Sequence, residues 1–128
     1  MKLIFAILLC AGGLFAQVDP CAPSNNPLQV NVGVSTNTAT TLVAGSAGNV
    51  IHVCSISFAT ATATNVTFQG SDGTVLYGPL QGVLTLSQSW DGNLSTGRAA
   101  KGSGFQILLG TAPAASFGVL VVYYLSNN

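Results

Sequence analysis

The stretch NVIHVCSISFA at residues 49–59 decides the fold of this chain. A β-strand points successive side chains to opposite faces. On that rule, one face of the stretch carries Val50, His52, Cys54, Ile56 and Phe58. The other face carries Ile51, Val53, Ser55 and Ser57. Because both faces include apolar residues, the stretch predicts a central strand that is covered on both sides.

Short strand patterns recur along the rest of the chain, and no stretch has the apolar spacing of a helix. Gly, Pro, Asn and Asp separate them, and Asp72-Gly73 is a strong hairpin-turn signal. Strands are predicted at residues 28–34, 39–44, 49–59, 65–69, 75–77, 83–86, 105–109 and 117–125. Short strands without helical crossovers indicate an all-β fold. We therefore expect an antiparallel β-sandwich, jelly-roll-like, with about eight short strands.

Charged residues are scarce, since the 128-residue chain has three Lys/Arg and three Asp/Glu. Enzymes, metal sites and nucleic-acid binders all bring ionisable groups together. Arg98 and Lys101 are the only basic residues after Lys2, too few to neutralise a phosphate backbone. We therefore expect no catalysis, no cofactor, no metal site and no nucleic-acid partner. The low charge also leaves little repulsion between copies of the chain.

Residues 1–16 have the layout of a secretory signal peptide. Lys2 precedes an apolar run at residues 3–9, and Ala16 is the expected last residue before cleavage. The run is too short to span a bilayer, which takes roughly 20 residues. The alternative is an uncleaved apolar tail packed on the domain.

The chain is accordingly divided into a signal peptide (1–16), a Pro-rich N-terminal segment (17–27) and a β-sandwich domain (28–128). We expect a secreted, extracellular or cell-surface protein with no transmembrane segment after cleavage.

The three cysteines predict one disulfide. Cys10 leaves with the signal peptide, so Cys21 and Cys54 remain. Two cysteines in an exported domain are most simply a disulfide, because that compartment is oxidising. The bridge would tie the Pro-rich segment to the central strand. Two unpaired buried thiols are the alternative.

Two groups of residues suggest chemistry more weakly. His52 and Cys54 share a strand face, as a Cys–His nucleophile pair would, but an interior strand and a disulfide favour a structural role. Asp91 and Asn93 are spaced like the first ligands of a calcium loop. The later glycine and carboxylate of such a loop are missing, so an ordinary turn is favoured.

Trp90 is the only tryptophan, and it stands beside Asp91 and Asn93 in an expected loop. An exposed indole can stack on a sugar ring while neighbouring polar groups bond its hydroxyls. These three residues therefore predict a carbohydrate- or small-ligand-binding site. The alternative is that Trp90 folds back as a lid on the sandwich edge.

Four different segments between residues 49 and 125 together form one pattern. They are an apolar strand at 56–58, an Ala/Thr stretch at 59–64, a Thr-x-Phe strand with a glycine turn at 66–70, and a Gly, Val and Tyr ending at 118–124. In these segments the chain resembles small all-β proteins of tailed-phage virions and related bacterial loci. The resemblance implies a virion-surface, decoration or adhesive module, without catalytic residues. Phage structural proteins are assembled in the cytoplasm, so the signal peptide favours a cell-exported relative.

These observations together predict a non-catalytic exported β-sandwich that serves as a structural, surface or assembly component, either virion-like or at a cell surface. Its expected partners are further copies of itself or a surface assembly. The alternative function is a carbohydrate- or small-ligand-binding module that uses the Trp90 loop, with a glycan as the partner.

Overall fold

The computed structural model describes residues 19–90 and 98–127. Within these ranges the chain forms six β-strands, a 3-10 turn at Pro23–Asn25, and no α-helix. The strands are β1 (Leu28–Val34), β2 (Thr40–Val43), β3 (Val50–Gly70), β4 (Val75–Ser89), β5 (Phe105–Leu109) and β6 (Phe117–Ser126). They form one antiparallel, nearly barrel-shaped sheet, so the all-β, antiparallel prediction is confirmed. No helix among these residues has the length and apolar character needed to cross a membrane.

The long strand β3 lies at the centre of the sheet and has neighbours along both edges. β4 pairs with one edge of it, from Ser55 to Gln69. On the opposite edge, β6 pairs with the first half of β3 and β5 pairs with the second half. β1 pairs with the other edge of β6, and β2 pairs with the other edge of β5. The strand order is therefore β1-β6-β3-β5-β2. β1 and β2 also contact each other, so the two ends of this order meet.

Two predicted loops lie inside strands. Residues 60–64 were expected to connect two strands but continue β3, and Gly78-Pro79 was expected to end a strand but lies within β4. The ladder is irregular there, because Ala59 pairs with Thr85 while Thr64 already pairs with Val83. Extra residues on one strand bend it without ending it. The described residues therefore form six strands, two of which each cover two of the predicted ones.

A β-bulge at Cys54 changes the predicted faces of β3. Val53 and Ser55 pair with adjacent residues of β6, so Cys54 is an extra residue in this ladder. A bulge reverses the alternation of side chains beyond it. The apolar residues on both sides of the bulge consequently join one core: Ile51, Val53, Ile56 and Phe58. The prediction of strict alternation through residues 49–59 was wrong for this reason.

Aromatic contacts join the two halves of the core. Phe68 of β3 stacks on Phe105 of β5, with ring centroids 5.7 Å apart, and both side chains are fully buried. In the other half, Phe58 of β3 contacts Phe117 of β6 at 5.4 Å. All four belong to one continuous hydrophobic cluster. Because β3 contributes to both pairs, its bend folds the two halves of the sheet over a common interior.

The predicted Asp-Gly turn connects β3 and β4. The Gly73 N–H donates to the Gly70 carbonyl (2.9 Å), and Gly73 has a φ of 84°, which glycine adopts without strain. The Asp72 carboxylate accepts hydrogen bonds from the Thr74 N–H (3.1 Å) and hydroxyl (3.0 Å). These bonds favour the ionised form, the backbone N–H most strongly, and hold the pKa of Asp72 below its ordinary value.

Candidate functional site

Two of the three cysteines lie where the sequence predicted a disulfide. Cys21 and Cys54 are at disulfide distance, with Cα atoms 5.4 Å apart. Cys54 is 4% exposed and occupies the bulge of β3. A sulfur held in a disulfide is not a thiolate, so it cannot serve as the nucleophile of a Cys–His pair. The bridge instead holds the Pro-rich segment against β3 and is consistent with an extracellular protein.

A polar cluster lies beside the bridge on β3 and β6. His52 stacks on Tyr124, with ring centroids 4.4 Å apart and planes within 8°. The His52 Nε2 atom lies 2.8 Å from the Ser126 hydroxyl, and the backbone of His52 bridges to that of Arg98. His52 and Tyr124 are directly paired across the two strands. We call these four residues the His52 cluster. From the sequence, His52 was considered as a partner of Cys54 and Arg98 as one of two basic residues, and the cluster that joins them to Tyr124 and Ser126 was not predicted.

Charged side chains converge on the His52 cluster. Burial raises the pKa of the Tyr124 phenol, while the Arg98 charge lowers it and the Asp19 charge raises it further. Tyr124 is therefore neutral at physiological pH. Lys101 extends the group, since its ammonium donates to the Asn127 carbonyl at 3.2 Å. Three of the four charged side chains in the described ranges thus lie at one end of the sheet.

A serine hydrogen-bonded to a histidine is one part of a nucleophilic site. In this chain, however, both side chains lie on the same sheet face on neighbouring strands, where such contacts follow from strand pairing. An acyl-transfer site also needs donors aimed at an oxyanion. The contacts of the His52 cluster join the end of β6 to β3 and to the segment at Arg98, which is a stabilising role.

Trp90 is part of the core. Its side chain is 7% exposed and meets Tyr77 edge to face at 5.3 Å. The backbone N–H of Trp90 donates to the backbone carbonyl of Cys54 at 2.7 Å, and this bond continues the β3–β4 ladder beyond the end of β4. Asp91 and Asn93 lie outside the described residues, as does the rest of the suggested calcium loop. The binding site built from these three residues stays a prediction.

No group of three or more His, Cys, Asp or Glu side chains within residues 19–90 and 98–127 could hold a metal ion. Two serines are brought together near the β3–β4 turn, where the Ser71 and Ser103 hydroxyls are 3.1 Å apart. Ser71 also accepts the Gly104 N–H at 2.9 Å. These bonds fix the turn against the segment that precedes β5, so they support the fold.

An uncharged surface spans the first half of the sheet. It consists of side chains that point away from the core on β1, β6, β3 and β4, and strand pairing arranges them in two rows. One row is Asn31, Leu120, Ser57 and Ser87. The next row is Gln29, Val122, Ser55 and Ser89. We call these eight residues the outer face.

Exposed aliphatic and amide groups share the outer face. Leu120 is 39% exposed at its centre, and Asn31, Gln29, Ser87 and Ser89 are exposed around it. The sequence shows the serine, asparagine and glutamine residues along these strands, but it could not show that residues from four strands lie side by side. That arrangement depends on the register of β1, β6, β3 and β4. The feature of the sequence that could have indicated the outer face was the absence of charged residues along these four strands.

In comparisons with protein-family models, curated proteins and solved structures, none matches this chain.

Proposed function

We propose that this protein is a non-catalytic exported β domain that serves as a structural component of a surface or assembly, either at a cell surface or virion-like. The observation that supports this most directly is the outer face. Its two rows contain hydroxyl, amide and aliphatic side chains, and no ionisable one. Such a surface can approach another surface without like-charge repulsion or the cost of desolvating a charge.

The distribution of charge supports the same proposal. The formal net charge is +0 for the full chain, and it is −1 without Lys2 because Arg98 and Lys101 then face Asp19, Asp72 and Asp91; either value leaves little long-range repulsion between copies. The His52 cluster begins one row beyond the outer face, because Tyr124 follows Val122 on the same face of β6, so the charges near it lie outside the two rows. Leu120 adds exposed apolar area at the centre of the outer face, which gains free energy when it is covered.

We further propose that the sheet is a jelly-roll sandwich of eight strand segments. Dividing β3 and β4 at their irregular pairing gives eight segments, which we number 1 to 8 along the chain. One layer then has the order 1-8-3-6 and the other 2-7-4-5. Jelly rolls occur in capsid and lectin domains, so this architecture is compatible with assembly but does not by itself assign a function.

Export rests on the signal-peptide pattern at residues 1–16, which lie outside the described residues. The Cys21–Cys54 bridge supports it, because disulfides persist in oxidising compartments. Mass determination of the protein recovered from the culture medium tests this part. A mature chain that begins at Gln17 is expected, and an intact Met1 would contradict the proposal.

Sedimentation of the purified protein over a wide concentration range tests the assembly role. We expect the weight-average mass to rise with concentration. Leu120→Lys should reduce this rise, because it places a charge at the centre of the outer face. Val75→Lys is the matched control, since Val75 is 53% exposed at the distant end of β4. A strict monomer at every concentration would contradict the proposed function.

A further inference from the structure

Within residues 19–90 and 98–127, one edge of β4 pairs with no other strand, since β4 pairs only with β3. The Trp90 N–H donates to Cys54 of β3, and backbone groups alternate in direction along a strand. The ladder is regular from Ser89 back to Thr85. The N–H and C=O groups of Thr85, Ser87 and Ser89 therefore point away from β3.

The side chains of these three residues are small and exposed. The Ser89 carbonyl already accepts a hydrogen bond from the Gln88 side chain (3.2 Å), so Thr85 and Ser87 offer the more available groups. An edge of this kind is a template for another strand. Natural edges are protected by charges, prolines or bulges. In β4 the proline and the irregular pairing occur at residues 78–83, and they leave residues 85–89 regular.

We propose that residues 85–89 of β4 pair antiparallel with the same residues of a second copy of this chain, with Ser87 of both copies at the two-fold axis. This inference rests on the proposed assembly function and adds an edge contact to the outer face already described. Thr85 then lies opposite Ser89 of the second copy. The outward N–H and C=O groups of each residue meet those of its partner, and every side chain at the outer surface of the junction is a small hydroxyl.

The second copy fits this edge for two reasons. β4 contains no charged residue, so two copies bring no like charges together. The pairing is also reciprocal, because Thr85 of each copy lies opposite Ser89 of the other, as a two-fold interface requires. It joins β1-β6-β3-β4 of one copy to the same four strands of the other. The outer-face row that ends at Ser87 then continues into the same row of the second copy, and the row that ends at Ser89 meets Thr85 and its β3 partner Ala59.

The contact is small, which sets its strength. It uses five residues from each copy, whereas a standard stable interface uses roughly 20–30 residues a side. The pair is therefore weak in dilute solution and forms where copies are concentrated. That is the behaviour expected of a component that associates on a surface and stays separate during export.

Amide hydrogen exchange by NMR at low and high protein concentration tests the inference, with the disulfide intact. We expect the amides of Thr85, Ser87 and Ser89 to exchange more slowly at high concentration. The amides of Leu86 and Gln88 serve as the internal control. They already bond to β3, so they should be protected at both concentrations.

Ser87→Lys provides the second measurement, because it places two ammonium groups together at the two-fold axis. It should raise the dimer Kd by more than about tenfold. Ser35→Lys, an exposed position between β1 and β2, should leave the Kd unchanged. If Ser87→Lys fails to fold, the exchange experiment on the unsubstituted protein decides.

Association without protection of these amides, or a dimer unaffected by Ser87→Lys, would overturn the edge contact and leave the proposed function standing. A strict monomer would overturn both.

Discussion

Removing the Cys21–Cys54 bridge should destabilise this domain substantially. The two cysteines are 33 residues apart in sequence, and the closed loop contains β1 and β2. On the chain-entropy account, opening a loop of that size raises the entropy of the unfolded state enough to cost about 4 kcal/mol at 25 °C. Small domains have a total stability of roughly 5–15 kcal/mol. The loss is therefore a large fraction of the whole.

The double variant Cys21→Ala, Cys54→Ala measures this cost. Urea unfolding can be followed by the fluorescence of Trp90, which is buried in the folded chain. With an m-value of about 2 kcal/mol/M, the midpoint should fall by about 2 M. Reducing the unsubstituted protein is the matched control, since it opens the same loop while keeping both side chains.

A double variant within about 1 kcal/mol of the unsubstituted protein would refute this reasoning. It would mean that the unfolded chain is not measurably restricted by the bridge. A large loss in the double variant with no loss on complete reduction would also refute it. In that case the effect would come from the substituted side chains.

Three further outcomes follow from the packing and the turn. Phe68→Ala should lower the free energy of unfolding, measured with denaturant, by about 3–5 kcal/mol, because Phe68 is fully buried against Phe105. The control Leu84→Ala, at a half-exposed position, should lower it by less than about 1 kcal/mol. Trp90 should emit at short wavelength and resist iodide quenching until the chain unfolds, and ready quenching in the folded state would contradict its core position. The lowered pKa of Asp72 means that its ionised form stabilises the folded state, and this contribution is lost as the pH falls below about 4 and through the folded-state pKa. Asp72→Asn should therefore lower the unfolding midpoint at pH 7 more than at pH 2, and an equal effect at both would contradict the role of the charge.

Much of the fold could be predicted from local sequence. Apolar strand patterns identified β1, β5, β6 and the two ends of β3 as strands, because burial in a sheet leaves a direct trace in the sequence. They did not show that β3 continues through residues 60–64. The turn at Asp72-Gly73 was identified because glycine at a positive φ has a clear local signature. The Cys21–Cys54 pairing followed from there being two cysteines after the predicted signal peptide. Each of these predictions depends on neighbouring residues or on simple counting.

The remaining features depend on long-range pairing. The bulge at Cys54 is set by the register of β6 on β3, and nothing in residues 49–59 shows which residue is the extra one. Trp90 was expected in a loop because a turn sequence follows it, but its ring contacts Tyr77 in the core. The His52 cluster joins His52 to Ser126, 74 residues away. Local patterns cannot predict such contacts, and the same holds for the outer face and the β4 edge.

The pairing of the first strand with the last one has a consequence for biosynthesis. In the part of the chain that the structure describes, β1 pairs with no strand but β6, and Val34 pairs with Phe117, about 80 residues later in the chain. At 5–20 residues per second, a ribosome needs roughly 4–16 s to make that interval, whereas hairpins form in microseconds. A nascent chain therefore carries β1 without its native pairing strand until β6 has been synthesised. For the exported precursor that we propose, this delay keeps the sheet incomplete while the chain crosses the membrane.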